Sequence, residues 1–264
     1  GVDLTLIPGG QDVVASRLLA QGQAQFATMF LSTGLERHAS TAGTPQAVVH
    51  LSQLVQRSAL MLVTRAGSGI RELANYMLAN DLPKGPIVTE IYLSHTHWDH
   101  IMGFPFFVPV YIPGTRIKVF GPVTYEDEPL EAVVGGQMKY RYFPVNMGEL
   151  AGSIEYSRLK EEPLLDLGDG ITLSTAIINH PITALGYRFT FRDKVFCTAY
   201  DTEPFRNLFI TDPDHPSYDE LMALEGEEAA REQNRVLENF YQGADLLVHD
   251  AQYTRAEYEK GKVG

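Results

Sequence analysis

Ile87-Val88-Thr89-Glu90-Ile91-Tyr92-Leu93-Ser94-His95-Thr96-His97-Trp98-Asp99-His100 is the stretch that decides the fold. Its first seven residues are short, mostly apolar and β-branched, which is the composition of a buried strand. The histidine-rich half begins at the carboxyl end of that strand, where open α/β sheets usually hold ligands. Three imidazoles and a carboxylate fall within six residues, a density that few structural roles require. At a strand end, residues two apart point the same way, so His95 and His97 can share one cation. The following turn presents Asp99 and His100 to a second. The alternative is a polar loop of hydrogen-bonded histidines, but four ligand-type side chains converge here with no packing reason for them.

Working outward, short β-branched or aromatic runs alternate with amphipathic helical patterns from Ala47 onward, and no internal repeat interrupts them. Before the motif, Ala47 to Leu51 and Ala59 to Thr64 read as strands. Ser68 then caps a helix with Ile70, Leu73, Ala74, Met77 and Leu78 on one face, ending near Pro83. After the motif, strands are expected at Arg116 to Phe120, Ile171 to Ile178, Leu185 to Phe191, Lys194 to Thr198 and Leu246 to Val248, which implies a second sheet layer. Glu126 to Glu162 reads as an irregular excursion over the mouth of the site. Ser217 and Glu220 form a capping-box pattern, and helical spacing from Ala229 to Tyr241 runs up to Gly243.

Composition sets outer limits. With 264 residues and 44% hydrophobic content, one sizeable core is the economical reading. Residues 1–28 fit the pattern poorly and read as an extension or linker, leaving 29–264 as the domain. No apolar run approaches the roughly 18 to 20 residues that cross a bilayer, and no leader is recognisable. Cys197 is the one cysteine. It cannot form an internal disulfide, and cytoplasm is the default location. On a strand it reads as a small core residue. A formal charge of −12 disfavours non-specific nucleic-acid binding, although bound cations can reverse the field locally. A small, anionic substrate is the expectation, and a homo-oligomer is compatible.

The segment from His95 to His100 resembles the metallo-β-lactamase superfamily, matching its His-x-His-x-Asp-His motif at every fixed position. The resemblance covers roughly residues 40–264. Gly67-Ser68-Gly69-Ile70-Arg71, Gly135-Gly136-Gln137-Met138 and Tyr142-Phe143-Pro144 are similar to a little-characterised subgroup of it. The resemblance implies an α/β fold of αββα type, two mixed β-sheets packed face to face with helices outside. It implies two divalent ions, zinc first and manganese or iron as alternatives. His95, His97 and His180 would hold one, Asp99 and His100 the other, with Asp201 bridging.

Taken alone, His180 has a core histidine as its lesser alternative reading, and Asp201 an Asx turn or helix cap. Leu247-Val248-His249-Asp250-Ala251-Gln252 resembles the phosphodiesterase branch, which includes tRNA 3′-processing endonucleases and cyclic-phosphate hydrolases. By that resemblance His249 assists proton transfer, while Asp99 also orients the attacking water; a purely structural histidine is the other reading of His249.

The implied activity is two-metal hydrolysis of a small or cyclic phosphodiester. The alternatives are lactam, lactone or thioester hydrolysis and a non-catalytic or sensory metal-binding module. Lactam-cleaving relatives place a cysteine among the second-metal ligands, and Cys197 lies four residues before Asp201, too early for that role. Sensory relatives usually carry Glu where this chain has His97. Two departures stand out. Thr64-Arg65 occupies the place of a strand-ending Leu-Asp, and the further second-metal histidine that the resemblance implies after His249 is not found up to Gly264, so it is expected beyond that residue. Lys139-Tyr140-Arg141-Tyr142 reads as an exposed, solvated loop, and Trp98 is expected to pack beneath the site.

Overall fold

The computed structural model describes residues 59–62, 68–124 and 127–249. The expected strand at Ala47 to Leu51, the boundary near residue 28, Thr64, Arg65 and the residues after His249 lie outside them. Two sheets form. β1 (Ala59–Leu62), β2 (Val88–Tyr92), β3 (Arg116–Pro122) and β4 (Ser153–Leu159) pair in that order, all parallel. β5 (Leu165–Gly168), β6 (Ile171–Ile178), β7 (Ala184–Phe191), β8 (Lys194–Ala199) and β9 (Leu246–His249) make a mixed sheet, antiparallel through β8 and parallel between β8 and β9.

Period-two alternation in β2 and β3 builds both layers of the core. Ile87, Ile91, Leu93, Ile117 and Val119 face the helical side, joining Ile70, Ala74 and Met77 of α1 (Ser68–Asn80) and Leu130 and Val134 of α3 (Leu130–Gly136). Tyr92 projects to the other face and meets Leu173, Leu185, Tyr187, Phe189 and Phe196 of the second sheet. The two sheets therefore pack face to face through an aromatic layer. α4 (Glu220–Tyr241) lies on the far side of the second sheet, turning inward the small residues Ala223, Gly226 and Ala230. Helices thus flank both sheets, the αββα arrangement.

Two local readings are corrected. The stretch expected to be irregular contains α3 and β4, the latter paired with β3 from Arg116↔Ser153 to Pro122↔Leu159. β4 is half polar because one of its faces is largely solvated, which hides it from a reading that seeks apolar runs. The cap of α4 is Asp219, whose side chain accepts from the Met222 N–H at 3.0 Å. Ser217 instead donates its backbone N–H to His215 Nδ1 at 3.1 Å.

Gly186, in mid-β7, shows how closely α4 sits on the sheet. A Cβ there would overlap Tyr241 Oη and come within 3.1 Å of Ile178 Cγ2 and 3.2 Å of the Thr198 carbonyl. Gly186→Ala is therefore expected to destabilise the protein by about 2–3 kcal/mol in urea unfolding. Adding Tyr241→Phe should recover part of the loss, and an unchanged unfolding midpoint for Gly186→Ala would contradict the packing.

Candidate metal centre

The candidate residues come from strands of both sheets, and strand direction explains why they meet. β6 and β8 run the same way, and β9 runs parallel to β8, so the segments holding His180, Asp201 and His249 leave one edge of the second sheet. β7 runs oppositely, so its first residues lie at that same edge. There the Leu185 N–H donates to the Ser94 carbonyl at 2.8 Å and the Tyr187 hydroxyl to the Leu93 carbonyl at 2.6 Å. These bonds clamp the end of β2, and with it the His95 segment, against the second sheet. The Glu203 N–H donates to the Asn179 carbonyl at 3.2 Å and Asn179 Nδ2 to the Pro204 carbonyl at 3.1 Å, tying the His180 and Asp201 loops together.

Two groups of side chains result. One ligand atom each from His95, His97 and His180 lie within 4.8 Å of one another, and the same holds for His95, His100 and Asp201. His180 Nε2 stands 2.9 Å from His97 Nδ1, and His100 Nε2 is 3.2 Å from Asp201 Oδ2. His95 is common to both groups, and its Nε2 is 4.0 Å from Asp201 Oδ2. Asp99 sits at the margin with Oδ2 3.5 Å from His100 Nε2 and a side chain 43% exposed. α2 (Trp98–Ile101) orients these last residues. His97 occupies its N-cap position without spending its ring on capping, which leaves the imidazole for the cluster.

The donor set fits divalent cations. His95 Nε2 and His100 Nδ1 are buried and have no hydrogen-bond partner among the described residues, a situation that costs about 1–3 kcal/mol per group when nothing compensates. When His95 Nδ1–H donates to Ser94 Oγ, 3.1 Å away, the ring lone pair rests on the partnerless Nε2. Burial, then the adjacent His100 and His180 rings, push His95 down to about 3, so it is neutral near pH 7. Burial also lowers His180, with His97 adding to the effect. The hydrogen bond from His100 holds the Asp201 carboxyl well below the usual carboxylate range, against the opposing effect of burial. Neutral imidazoles and an ionised carboxylate are the states in which these groups bind metal.

His249 ends β9 in register with Ala199, two residues before Asp201. It is exposed and lies outside both ligand groups. Trp98 does not pack beneath the site: it is 66% exposed. The sequence reading overlooked Ser94, Tyr187 and Gln137, whose Nε2 donates to the Ile101 carbonyl at 2.9 Å and fixes the end of α2. Ser94, beside the motif, and Gln137, in the Gly135-Gly136-Gln137-Met138 stretch, carried a local signal, and Tyr187 carried none. Tyr187→Phe leaves the Leu93 carbonyl without its partner. It is expected to cost about 1–2 kcal/mol of stability and about tenfold in zinc affinity, read by competition with a chromogenic chelator. Unchanged affinity would mean that the clamp does not set ligand geometry.

Comparison with known proteins finds ribonuclease Z sequences among the relatives of this chain. Ribonuclease Z of Lactococcus lactis is 25% identical over 263 residues, covering 89% of this chain and 79% of that protein. Ribonuclease Z of Trichodesmium erythraeum is 25% identical over 248 residues, covering 82% and 73%. By this likeness the chain is a metal-dependent hydrolase of the metallo-β-lactamase fold. No protein-family model matches it. A crystal structure of human tRNase Z, short form, aligns with this chain at TM-score 0.45 and 17% identity, over 77% of this chain and 71% of that one. Among the described residues, no helix of this chain is long and apolar enough to cross a membrane.

Proposed function

We propose that this chain hydrolyses phosphodiesters at a two-metal centre. The observation that carries the reading is the pair of adjoining groups that share His95, one all-imidazole and one containing the ionised Asp201. His95, His97 and His180 would hold one ion, and Asp99 and His100 the other, with Asp201 between them. Zinc is the first choice for a set of imidazoles and carboxylates, with manganese or iron as alternatives. When bound, two such ions lower the pKa of a shared water towards neutrality and offset charge on a phosphoryl group.

The chain's own groups do the rest. Asp201, kept ionised, holds negative charge between the two ligand groups. Asp99, at the exposed margin, orients water at the mouth. His249, in register with Ala199, offers a proton to the leaving oxygen. Ribonuclease Z relatives that align over most of both lengths favour phosphodiester cleavage over the lactam, lactone, thioester or sensory readings. The net charge of −12 favours a small anionic or cyclic phosphate, whereas those relatives put RNA beside it as a substrate to test. We place the chain in the reducing cytoplasm, because its one cysteine, Cys197, is buried and free.

The test is hydrolysis of bis(p-nitrophenyl) phosphate by metal-free protein resupplied separately with zinc, manganese or iron. 2′,3′-cyclic nucleotides and a precursor tRNA serve as further substrates. Metal-dependent turnover of any of them supports the reading. Absence of turnover with every metal and all three substrates refutes it.

A further inference from the structure

Trp98 is the chain's one tryptophan, and it stands between His97 and Asp99. Its Cα is about 3.8 Å from the Cα of each of those neighbours. The centre is closed on one side and open on the other. His95 and His100 are fully buried, while His97, Asp99 and His180 are only partly covered and form the rim. Trp98 therefore interrupts the rim.

The residues that follow show that this segment has a core available to it, since Ile101, Phe104 and Phe107 are all buried. The indole stays out at 66% exposure, and among the described residues no ring packs against it. Leaving so large an apolar face in water forgoes the stabilisation that burial gives elsewhere in the segment. Successive helical residues diverge by about 100°, so the indole leaves the rim on a different bearing from the Asp99 carboxylate and from the ligand atoms. A ring there is open to a part of the substrate that extends away from the reacting group.

A segment tied to this part of the chain carries two exposed cations. Gln137 Nε2 donates to the Ile101 carbonyl at 2.9 Å, and Phe143 meets Phe106 edge-on at 5.5 Å. Together these two contacts bind segment 137–143 to α2 and the turn after it. That segment contributes Lys139 and Arg141, both exposed, in a chain whose formal charge is −12. An exposed aromatic ring with cations near it is how proteins hold unpaired bases, through the π-face and the phosphate together.

We propose that Trp98 is a platform on which a nucleobase of the substrate stacks beside the scissile phosphate. This assignment rests on the phosphodiester reading and narrows it to nucleotide-derived substrates, with Trp98 setting the preference for a base.

The indole is also the reporter. Zinc-loaded protein is excited at the red edge of tryptophan absorption and titrated with AMP, with ribose 5-phosphate as the base-free control, and calorimetry on both ligands gives affinities without requiring turnover. AMP is expected to quench the emission and ribose 5-phosphate to leave it unchanged. Trp98→Ala should weaken AMP about 5- to 100-fold, Trp98→Phe should retain most of the affinity, and ribose 5-phosphate should bind both variants as it binds the wild type. The proposal is overturned if AMP binds no better than ribose 5-phosphate, if neither binds, or if Trp98→Ala binds AMP like the wild type. Base-dependent quenching in a protein that hydrolyses no phosphodiester would leave the platform standing and refute the function proposed for the centre.

Discussion

Asp201→Ala is expected to lower kcat/KM for bis(p-nitrophenyl) phosphate by more than about 100-fold in zinc-loaded protein. Replacing a group that merely orients a metal ligand costs about 10- to 100-fold in metal affinity or activity, so a carboxylate among the ligand atoms should cost more. Asp201 is the one carboxylate in either ligand group, with Oδ2 3.2 Å from His100 Nε2 and 4.0 Å from His95 Nε2. It is held ionised chiefly by His100, and its side chain is 17% exposed. Removing it leaves two imidazoles, His95 and His100, in its group, with only the marginal Asp99 carboxylate to offset a second cation. Asp201→Asn keeps the shape but not the charge and should be nearly as damaged, which separates an electrostatic role from a packing one. Full activity in either variant, with unchanged circular dichroism, would remove Asp201 from the centre.

Tyr92→Ala is expected to cost about 3–5 kcal/mol in urea unfolding, the range for deleting a large buried aromatic. Tyr92 is fully buried between the sheets. Its ring stacks on Phe120 at 4.7 Å and meets Phe189 at 5.3 Å and Tyr187 at 5.7 Å, both edge-on. Its hydroxyl donates to Glu90 Oε2 at 2.6 Å. Tyr92→Phe forgoes only that bond and should cost about 1 kcal/mol. Because Tyr187 also clamps Leu93, the cavity left by Tyr92→Ala should loosen the end of β2 and weaken zinc binding as well. A loss below 1 kcal/mol for Tyr92→Ala would mean that the aromatic layer does not join the sheets.

Much of this architecture was legible because its signals are local. The apolar run before His95 marked β2, β-branched and aromatic runs marked β6 and β7, and helical spacing with a proline stop marked α1. Ligand types crowded into one turn marked the centre, and the resemblance supplied His180 and Asp201 in their order along the chain. What the sequence did not disclose depends on distant partners. β4 alternates polar and partly buried residues and becomes a strand by pairing with β3. The start of α4 depends on which of two nearby polar side chains reaches a free N–H, and Asp219 does. Tyr187 and Gln137 serve the centre through main-chain carbonyls far away in the sequence, so their role is not local, even though Gln137 stands in the Gly135-Gly136-Gln137-Met138 stretch. Trp98 was misread because an aromatic inside a metal motif is ordinarily core, and exposure is settled only by the turn that follows it.

The most direct measurement is anomalous diffraction at the zinc absorption edge from crystals of metal-free protein resupplied with zinc. Two peaks are predicted, one bonded by His95, His97 and His180 and the other beside His100, Asp99 and Asp201. A single peak, or zinc bound elsewhere with both groups empty, would contradict the two-metal centre and the chemistry built on it.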